Sequence, residues 1–242
     1  MRIPRFYCPT FDTTQNTLVL PEAVHRHAIQ VLRLKVGTEI RLFDGNGLEY
    51  QATLSQVDRK RSEVELGQPL PNHTESPLNI TLLQGISRGE RMDFAIQKAV
   101  ELGVKRIVPV VTERCNVQLK QDRAEKRHAH WLGVMHSACE QSGRAVLPQL
   151  SEVAELSLAM ESTTDTLKLV LDPQAETGFK YLQPARQLTL LIGPEGGLTE
   201  QEIEMAKNTG FTAVQFGPRI LRTETASTAA LAVVQSLWGD LA

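Results

Sequence analysis

An apolar run that ends in a glycine-rich turn constrains the fold of this chain more than any other feature. Leu188–Ile192 is apolar apart from one threonine, and the glycine turn (Gly193–Gly197) follows at once. Thr199 with Glu202 three residues later is the pattern of a capping box at a helix start. Such a run suits a strand of a parallel sheet with both faces covered by helices. Ligands bind at the carboxyl ends of strands in open α/β sheets, so the glycine turn is a candidate ligand site.

The same alternation of strands and helices extends from residue 78 to the C-terminus, which favours a parallel sheet covered on both faces. The predicted strands are 79–86, 106–112, 168–171, 188–192 and 213–216, and the predicted helices are 91–102, 122–142, 199–208 and 224–237. Knots are rare in proteins, so the pattern alone predicts an unknotted, doubly wound sheet.

Residues 1–70 have a different pattern, which predicts a small β-rich domain with one helix. The predicted strands are 2–7, 39–44, 48–57 and 63–66, and the predicted helix is 21–34. Gly45-Asn46-Gly47 is a strong turn signal between two of these strands. Three prolines between residues 69 and 77 indicate a linker. We therefore divide the chain into domains 1–72 and 73–242.

The charge of the chain is unevenly distributed, although its formal net charge is only -2. Basic residues outnumber acidic ones in 1–35 and 85–144, and acidic ones dominate 145–242. A partner that carries phosphates would meet the basic segments. Solvated helix faces explain the same pattern, above all for 123–127, so charge alone leaves RNA binding open.

The cysteines and the hydropathy of the chain indicate the cellular compartment in which the protein works. Cys8, Cys115 and Cys139 are odd in number and far apart, which argues against a disulfide framework. No apolar run approaches the roughly 20 residues that span a bilayer, and the first residues lack a signal peptide's apolar stretch. We expect a cytoplasmic protein. His and Cys residues show no zinc-type spacing, so no metal is predicted, and Cys139 is expected to be a packed thiol.

A second connection between a predicted strand and a helix contains two arginines. We call it the arginine loop (Gly217–Thr223). Thr223 is a candidate helix cap, and Glu224 favours a helix start. Arg219 and Arg222 suit an anionic or electron-rich substrate, although pairing with nearby acids explains one of them as well.

The glycine turn matches neither of two common nucleotide motifs. It is not G-x-G-x-x-G or G-x-x-x-x-G-K-[ST], so neither NAD nor ATP is supported. A tight connection without a ligand explains the turn equally well on shape alone. A third predicted strand ends at Asp172-Pro173, which would place another loop nearby.

Two motifs together resemble those of a known class. Ile192–Gly197 and Leu221–Ala226 closely resemble the SPOUT methyltransferases, whose C-terminus is tied in a deep trefoil knot. Arg2–Phe6, Ser87–Met92 and Ala138–Arg144 are further similar to segments of the bacterial small-subunit (16S) ribosomal RNA uridine-N3 methyltransferases of that class. The order and spacing of these blocks, rather than any single one, are specific.

This resemblance implies an α/β protein with an N-terminal PUA-like RNA-binding β-barrel, followed by a SPOUT methyltransferase domain with a C-terminal deep trefoil knot. It implies a homodimer that uses S-adenosylmethionine to methylate 16S ribosomal RNA of the small ribosomal subunit. The cofactor would lie between the turn after Leu171, the glycine turn and the arginine loop. The cofactor-binding residues that it implies are Leu171, Gly193, Pro194, Glu195, Gly197, Gly217, Leu221 and Thr223.

The chemistry of that reaction suggests roles for two side chains. As the proton leaves uridine N3, negative charge spreads onto the two uracil oxygens. Arg222 is our candidate to stabilise that charge, and Glu224 to accept the proton. An equal alternative is that Glu224 only orients Arg222 or anchors the helix start. The transfer needs in-line positioning and no metal.

Basic side chains are the candidates for RNA contact. The predicted contacts are Arg2, Arg5, Arg26, Arg33, Arg88 and Arg144, with His25 beside them. Arg114 and Glu140 are second candidates for the site or for RNA. A base-paired uridine hides N3, so the target must be unpaired or extruded.

Two other functions remain open from the sequence. One is a non-catalytic RNA-binding or ribosome-assembly protein with the same fold. The other is a methyltransferase of the same class that acts on tRNA or on a ribose 2′-hydroxyl. Cofactor binding decides the first, and the methylated atom decides the second.

Overall fold

The computed structural model describes residues 3–10, 12–115 and 121–241, which divide into two compact units. Unit 1 extends to Glu75 and also takes in Cys139–Leu147, whereas unit 2 contains Ser76–Ala138 and the chain from Pro148 onwards. The sequence-based division placed 139–147 in the second domain, because the predicted linker lies at residues 69–77, far ahead of this segment along the chain. Tertiary hydrogen bonds within unit 1, such as that from Arg5 Nη1 to the Cys139 carbonyl oxygen, are not visible in the sequence.

Unit 1 is built on a five-stranded sheet. Its strands are β1 (Arg5–Tyr7), β2 (Thr17–Val19), β3 (Glu39–Phe43), β4 (Glu49–Val57) and β5 (Ser62–Pro69), in the spatial order β1-β3-β4-β5-β2. β1 pairs in parallel with β3, and the other pairs are antiparallel. Phe6, Ile40, Leu42, Leu54 and Val64 belong to its buried core. The predicted turn at Gly45-Asn46-Gly47 joins β3 to β4.

The helix of unit 1 is shorter than predicted. α1 (Glu22–His25) continues as a π-helical turn, Arg26–Val31, in which the Leu32 N–H bonds to the His27 carbonyl oxygen at 3.0 Å. The helix ends before Arg33, whose φ of 54° lies in the left-handed region. A non-glycine residue adopts that conformation at an energetic cost. The helical periodicity of the sequence gives no sign of it, which is why the predicted helix extended to residue 34.

Unit 2 is a parallel sheet with helices, as predicted. Its strands are β6 (Asn79–Gly85), β7 (Arg106–Val111), β8 (Gln149–Leu150), β9 (Ala154–Glu155), β10 (Leu167–Leu171), β11 (Gln187–Ile192) and β12 (Thr212–Val214). They run in the order β12-β10-β11-β6-β7-β8, with β9 also beside β7, and all these pairs are parallel.

The remaining helices are α2 (Glu90–Glu101), α3 (Gln121–Ser142), α4 (Leu156–Glu161), α5 (Glu200–Asn208) and α6 (Thr223–Trp238), with a 3-10 turn at Phe179–Tyr181. The last residues of α3 belong to unit 1. β2, β8, β9 and α4 were not predicted, because such short elements show no readable periodicity. No helix in the described ranges is long and apolar enough to cross a membrane.

The register of unit 2 brings three strand ends together. Leu171 of β10 lies beside Val214 of β12, and Val170 beside Leu191 of β11. Strands that run in parallel present their carboxyl ends at one edge of the sheet. The loops that follow β10, β11 and β12 therefore meet at that edge.

Candidate functional site

The three loops surround a cavity of about 580 Å³. Its walls include the turn after Leu171, the glycine turn and the arginine loop. Small-molecule sites typically measure about 300–1,000 Å³, so the cavity admits a ligand of that class. The structure brings together all the residues predicted for the cofactor, namely Leu171, Gly193, Pro194, Glu195, Gly197, Gly217, Leu221 and Thr223.

Two glycines leave open space in the cavity wall. Gly197 has a φ of 69° and Gly217 a φ of 71°, both in the left-handed region. A Cβ atom built on either residue would meet no atom within 4 Å. The main chain at both positions is therefore open to close approach by a ligand, which a side chain would obstruct.

The cavity combines an apolar lining with charged groups. Leu171, Ile192 and Val214 supply apolar surface. The charged residues of the lining are Arg114, Asp172, Glu195, Glu200, Glu204, Lys207 and Arg219. Apolar surface beside charged side chains of both signs fits S-adenosylmethionine, which combines an aromatic base with an ammonium and a carboxylate group.

The glycine turn is held on one side by the segment that starts α2. Glu195 Oε1 accepts hydrogen bonds from the Arg88 main-chain N–H at 2.8 Å and from Arg91 Nη1 at 3.2 Å. Burial by itself raises the pKa of the Glu195 carboxyl, but these hydrogen bonds and the charge of Arg91 outweigh it and hold the pKa below 4.5. The Glu195 side chain thus fixes the turn while the residue lines the cavity.

The residues after β7 hold the other side of the turn. Arg114 Nη1 donates to the carbonyl oxygens of Gly196 at 3.1 Å and Leu198 at 3.4 Å. The predicted capping box is confirmed, since Thr199 and Glu202 exchange both hydrogen bonds. The second carboxylate oxygen of Glu202, Oε1, accepts a further hydrogen bond from the Glu113 main-chain N–H at 2.8 Å.

The start of α6 differs from the prediction. Arg222 occupies the cap position and makes no side-chain cap bond, so the prediction of Thr223 as the cap is wrong. The Thr223 hydroxyl instead donates to the Gly193 carbonyl oxygen at 2.6 Å. The sequence could not show this bond, because thirty residues separate its two partners.

Arg222 and Glu224, the two predicted catalytic residues, lie next to the cavity lining rather than in it. Arg222 is exposed, and Glu224 is half-buried in the first turn of α6. Glu224 Oε2 is buried and has no hydrogen-bond partner among the described residues. A buried polar atom without a partner is costly, so this oxygen is open to a hydrogen bond from a ligand.

Several lining residues were missed by sequence reasoning. Gln174 follows β10, and Ile203, Glu204 and Lys207 lie along α5. A signal for the α5 residues was present, because spacings of three and four from Glu200 mark one face of the helix that follows the turn. That face could not be recognised as a ligand wall without the sheet that presents it.

Comparison with known proteins identifies the family. Residues 74–235 match the RNA methyltransferase domain, and residues 20–67 match the RNA methyltransferase PUA domain. The ribosomal RNA small subunit methyltransferase E of Buchnera aphidicola (subsp. Schizaphis graminum) is 34% identical over 99% of this chain and 98% of its own length. The chain belongs to the ribosomal RNA small subunit methyltransferase E family.

Two solved structures extend this similarity to the cofactor. The methyltransferase E of Neisseria gonorrhoeae, bound to S-adenosylmethionine, is 43% identical, with a TM-score of 0.93 over 100% of both chains. A Legionella pneumophila protein in complex with the cofactor SAM is 38% identical, with a TM-score of 0.96 over 100% of both chains. The predictions of an S-adenosylmethionine-dependent methyltransferase and of a PUA-like domain are confirmed at the level of the family.

Two arginines that were predicted to contact RNA are buried in unit 1 of this methyltransferase E family member. Arg5 donates to both carboxylate oxygens of Glu49, at 2.9 and 3.1 Å. Arg144 is 2% exposed and donates to Glu75 at 2.8 Å. These guanidinium groups do not face solvent, which corrects the prediction of their RNA contact. Sequence shows the charge of a side chain and not its burial.

The other predicted contacts of the methyltransferase have different positions. Arg26, Arg33 and Arg88 are exposed, and Arg2 lies outside the described residues. His25 is buried, with Nδ1 2.8 Å from Ser62 Oγ, so it does not belong to an exposed face. Glu140 accepts the Tyr7 main-chain N–H at 3.0 Å, and burial raises its pKa.

Proposed function

We propose that this chain transfers a methyl group from S-adenosylmethionine to N3 of a uridine in 16S ribosomal RNA of the small ribosomal subunit. The observation that carries the proposal is the cavity between the three loops, whose lining fits the cofactor bound in two full-length structural relatives. The identity of the RNA substrate is inferred from the names of the relatives. The identity of the methylated atom, N3, is inferred from the resemblance of the sequence blocks.

Main-chain groups of Gly193, Gly197, Gly217 and Leu221 would hold the cofactor. Gly197 and Gly217 support this role by their open Cβ positions. When bound, S-adenosylmethionine supplies an electrophilic methyl group on a sulfonium. The residues around the cofactor would bind it, orient its methyl group and exclude water, and a sulfonium methyl requires no metal.

Glu224 and Arg222 would act on the uridine. Glu224 Oε2 accepts the N3 proton, a role supported by its lack of a hydrogen-bond partner among the described residues. The Arg222 guanidinium stabilises the negative charge that then spreads over the uracil oxygens. The exposure of Arg222 supports this role, since its side chain is open to an incoming base.

The proposal includes the trefoil knot and a homodimer. The knot is supported by the bonds that attach α6 to the end of β6 and to the glycine turn, through Gln84 and Gly193. The dimer is supported by apolar side chains left exposed near both ends of α6, since Ile220 is 85% and Leu237 47% exposed. A second copy that covers them would remove this apolar surface from water.

Residues 1–72 would bind RNA, and residues 73–242 would catalyse the transfer. The exposed Arg26 and Arg33 of unit 1 and the exposed Arg88 of unit 2 are the proposed contacts for phosphates. A protein with this substrate works in the cytoplasm, where ribosomal subunits are assembled.

The proposal is tested by methyl transfer from labelled S-adenosylmethionine to small ribosomal subunits that lack the modification. The product nucleosides are resolved by mass and compared with N3-methyluridine and 2′-O-methyluridine. We expect N3-methyluridine. Cofactor binding without transfer to any ribosomal substrate would reject the ribosomal assignment and favour tRNA. Absence of cofactor binding would favour a non-catalytic RNA-binding protein.

A further inference from the structure

A buried glutamine connects strand β6 to Thr223, a residue of the cavity wall. Gln84 lies next to the end of β6 and is 0% exposed. Its Nε2 donates to Thr223 Oγ1 and to the Gly85 carbonyl oxygen, each at 3.1 Å. Its Oε1 accepts from Ser227 Oγ at 2.5 Å. One carboxamide therefore contacts two successive turns of α6.

The chemistry of the partners fixes the orientation of this carboxamide. The Gly85 carbonyl oxygen can only accept a hydrogen bond, so the atom facing it must be Nε2. Thr223 has a single hydroxyl proton, which it gives to the Gly193 carbonyl oxygen, and it therefore accepts from Gln84. A continuous chain of hydrogen bonds thus runs from β6 through α6 to the glycine turn.

From this chain we infer that Gln84 is a positioning residue for methyl transfer. It fixes the start of α6, and with it the arginine loop, relative to the glycine turn. Those segments form two of the cavity walls, and they carry Arg222 and Glu224. The inference rests on the proposed function for the identity of the ligand, whereas the hydrogen bonds themselves do not depend on it.

The chain offers a matched control at the other end of the same helix. Gln235 is 1% exposed, accepts from Ser76 Oγ at 3.0 Å and donates to the Leu102 carbonyl oxygen at 2.7 Å. It does not line the cavity. Gln84→Met and Gln235→Met each remove a buried carboxamide that is bonded on both sides. Only Gln84 bonds to a residue of the cavity lining, Thr223, since the partners of Gln235 lie outside it.

The test uses the full chain without cofactor and with S-adenosylmethionine. Thermal unfolding measures the stability of each variant, calorimetry measures S-adenosylmethionine affinity, and amide hydrogen exchange follows residues 217–230. We expect Gln84→Met to bind at least about tenfold more weakly and to exchange faster in 217–230, since it loses several hydrogen bonds at once. We expect Gln235→Met to be destabilised but to bind within about twofold of the parent.

Wild-type affinity and exchange in Gln84→Met would overturn the inference, as would an equal loss of affinity in Gln235→Met. If Gln84→Met fails to fold, Ser227→Ala removes one bond to the same carboxamide and is expected to weaken binding by about three- to fivefold. Unchanged binding in that variant would then overturn the inference. A parent protein that binds S-adenosylmethionine but methylates no RNA would reject the proposed function and leave these binding readouts intact.

Discussion

The Thr223 hydroxyl donates a 2.6 Å hydrogen bond to the main-chain carbonyl oxygen of Gly193, and this bond joins the start of α6 to the glycine turn. Thr223→Val preserves the shape of the side chain but removes the hydroxyl, which donates to Gly193 and accepts from Gln84. Because the bond is buried, we expect the free energy of unfolding to fall by about 1–3 kcal/mol. Chemical denaturation measures this loss, and calorimetry is expected to show weaker S-adenosylmethionine binding.

Thr223→Ser is the control, since it keeps the hydroxyl and loses only a methyl group. We expect it to retain most of the affinity. Equal losses of affinity in the two variants would show that the methyl group, rather than the hydrogen bond, sets the geometry of the site.

Arg5 and Glu49 form a buried ion pair, with side chains 6% and 3% exposed. Arg5→Ala leaves the carboxylate without its main partner, and we expect a loss of about 3–5 kcal/mol in unfolding free energy. Arg26→Ala is the matched surface variant, expected within about 0.5 kcal/mol of the parent but with weaker RNA binding. Urea unfolding and a filter-binding assay with ribosomal RNA separate the two effects. A stable Arg5→Ala variant would contradict this assignment.

Arg222 is exposed at the start of α6 and makes no cap bond there. We therefore expect Arg222→Ala to keep its stability and its S-adenosylmethionine affinity. Loss of charge stabilisation on the uracil should reduce the rate of methyl transfer by about 10²–10³-fold. Single-turnover transfer at saturating cofactor measures this rate. A variant with the parental rate would remove Arg222 from the mechanism.

The lowered pKa of Glu195 gives the stability a pH dependence. A carboxyl whose pKa is lowered by folding stabilises the protein fully when the pH is above the pKa of the unfolded state, near 4.5. This contribution is lost as the pH falls through the lowered pKa of the folded state. Glu195→Gln should therefore cost stability at pH 7, by no more than about 1 kcal/mol at this exposed position. The difference should shrink as the pH falls below 4.5 and the carboxyl becomes protonated. Urea unfolding across this range tests the convergence.

Two of the three cysteines are expected to resist alkylation in the native protein. Burial raises the pKa of Cys8 to about 11 and that of Cys139 to about 12, and both side chains are inaccessible. The reactive thiolate is therefore scarce at neutral pH. Iodoacetamide labelling followed by mass spectrometry should modify both thiols only after denaturation. Rapid native labelling of Cys139 would revive a reactive role for it.

The sequence by itself determined the local elements and the loops that line the cavity. Leu188–Ile192 is apolar enough to predict a buried strand, and the Thr199–Glu202 capping box set the helix start after it. The glycine turn and the arginine loop were recognisable because special backbone conformations and charged loops leave compositional marks. These signals are local, since each depends on residues a few positions apart.

Only the tertiary structure decided which polar side chains are exposed to solvent and which are buried. Arg5 and Arg26 look alike in sequence, yet one is buried on Glu49 and the other exposed. Gln84 carried no sequence signal, because its partners Thr223 and Ser227 lie about 140 residues away along the chain. Burial and long-range hydrogen bonds depend on how strands and helices pack. Periodicity and composition specify the elements, whereas packing assigns the role of each polar side chain.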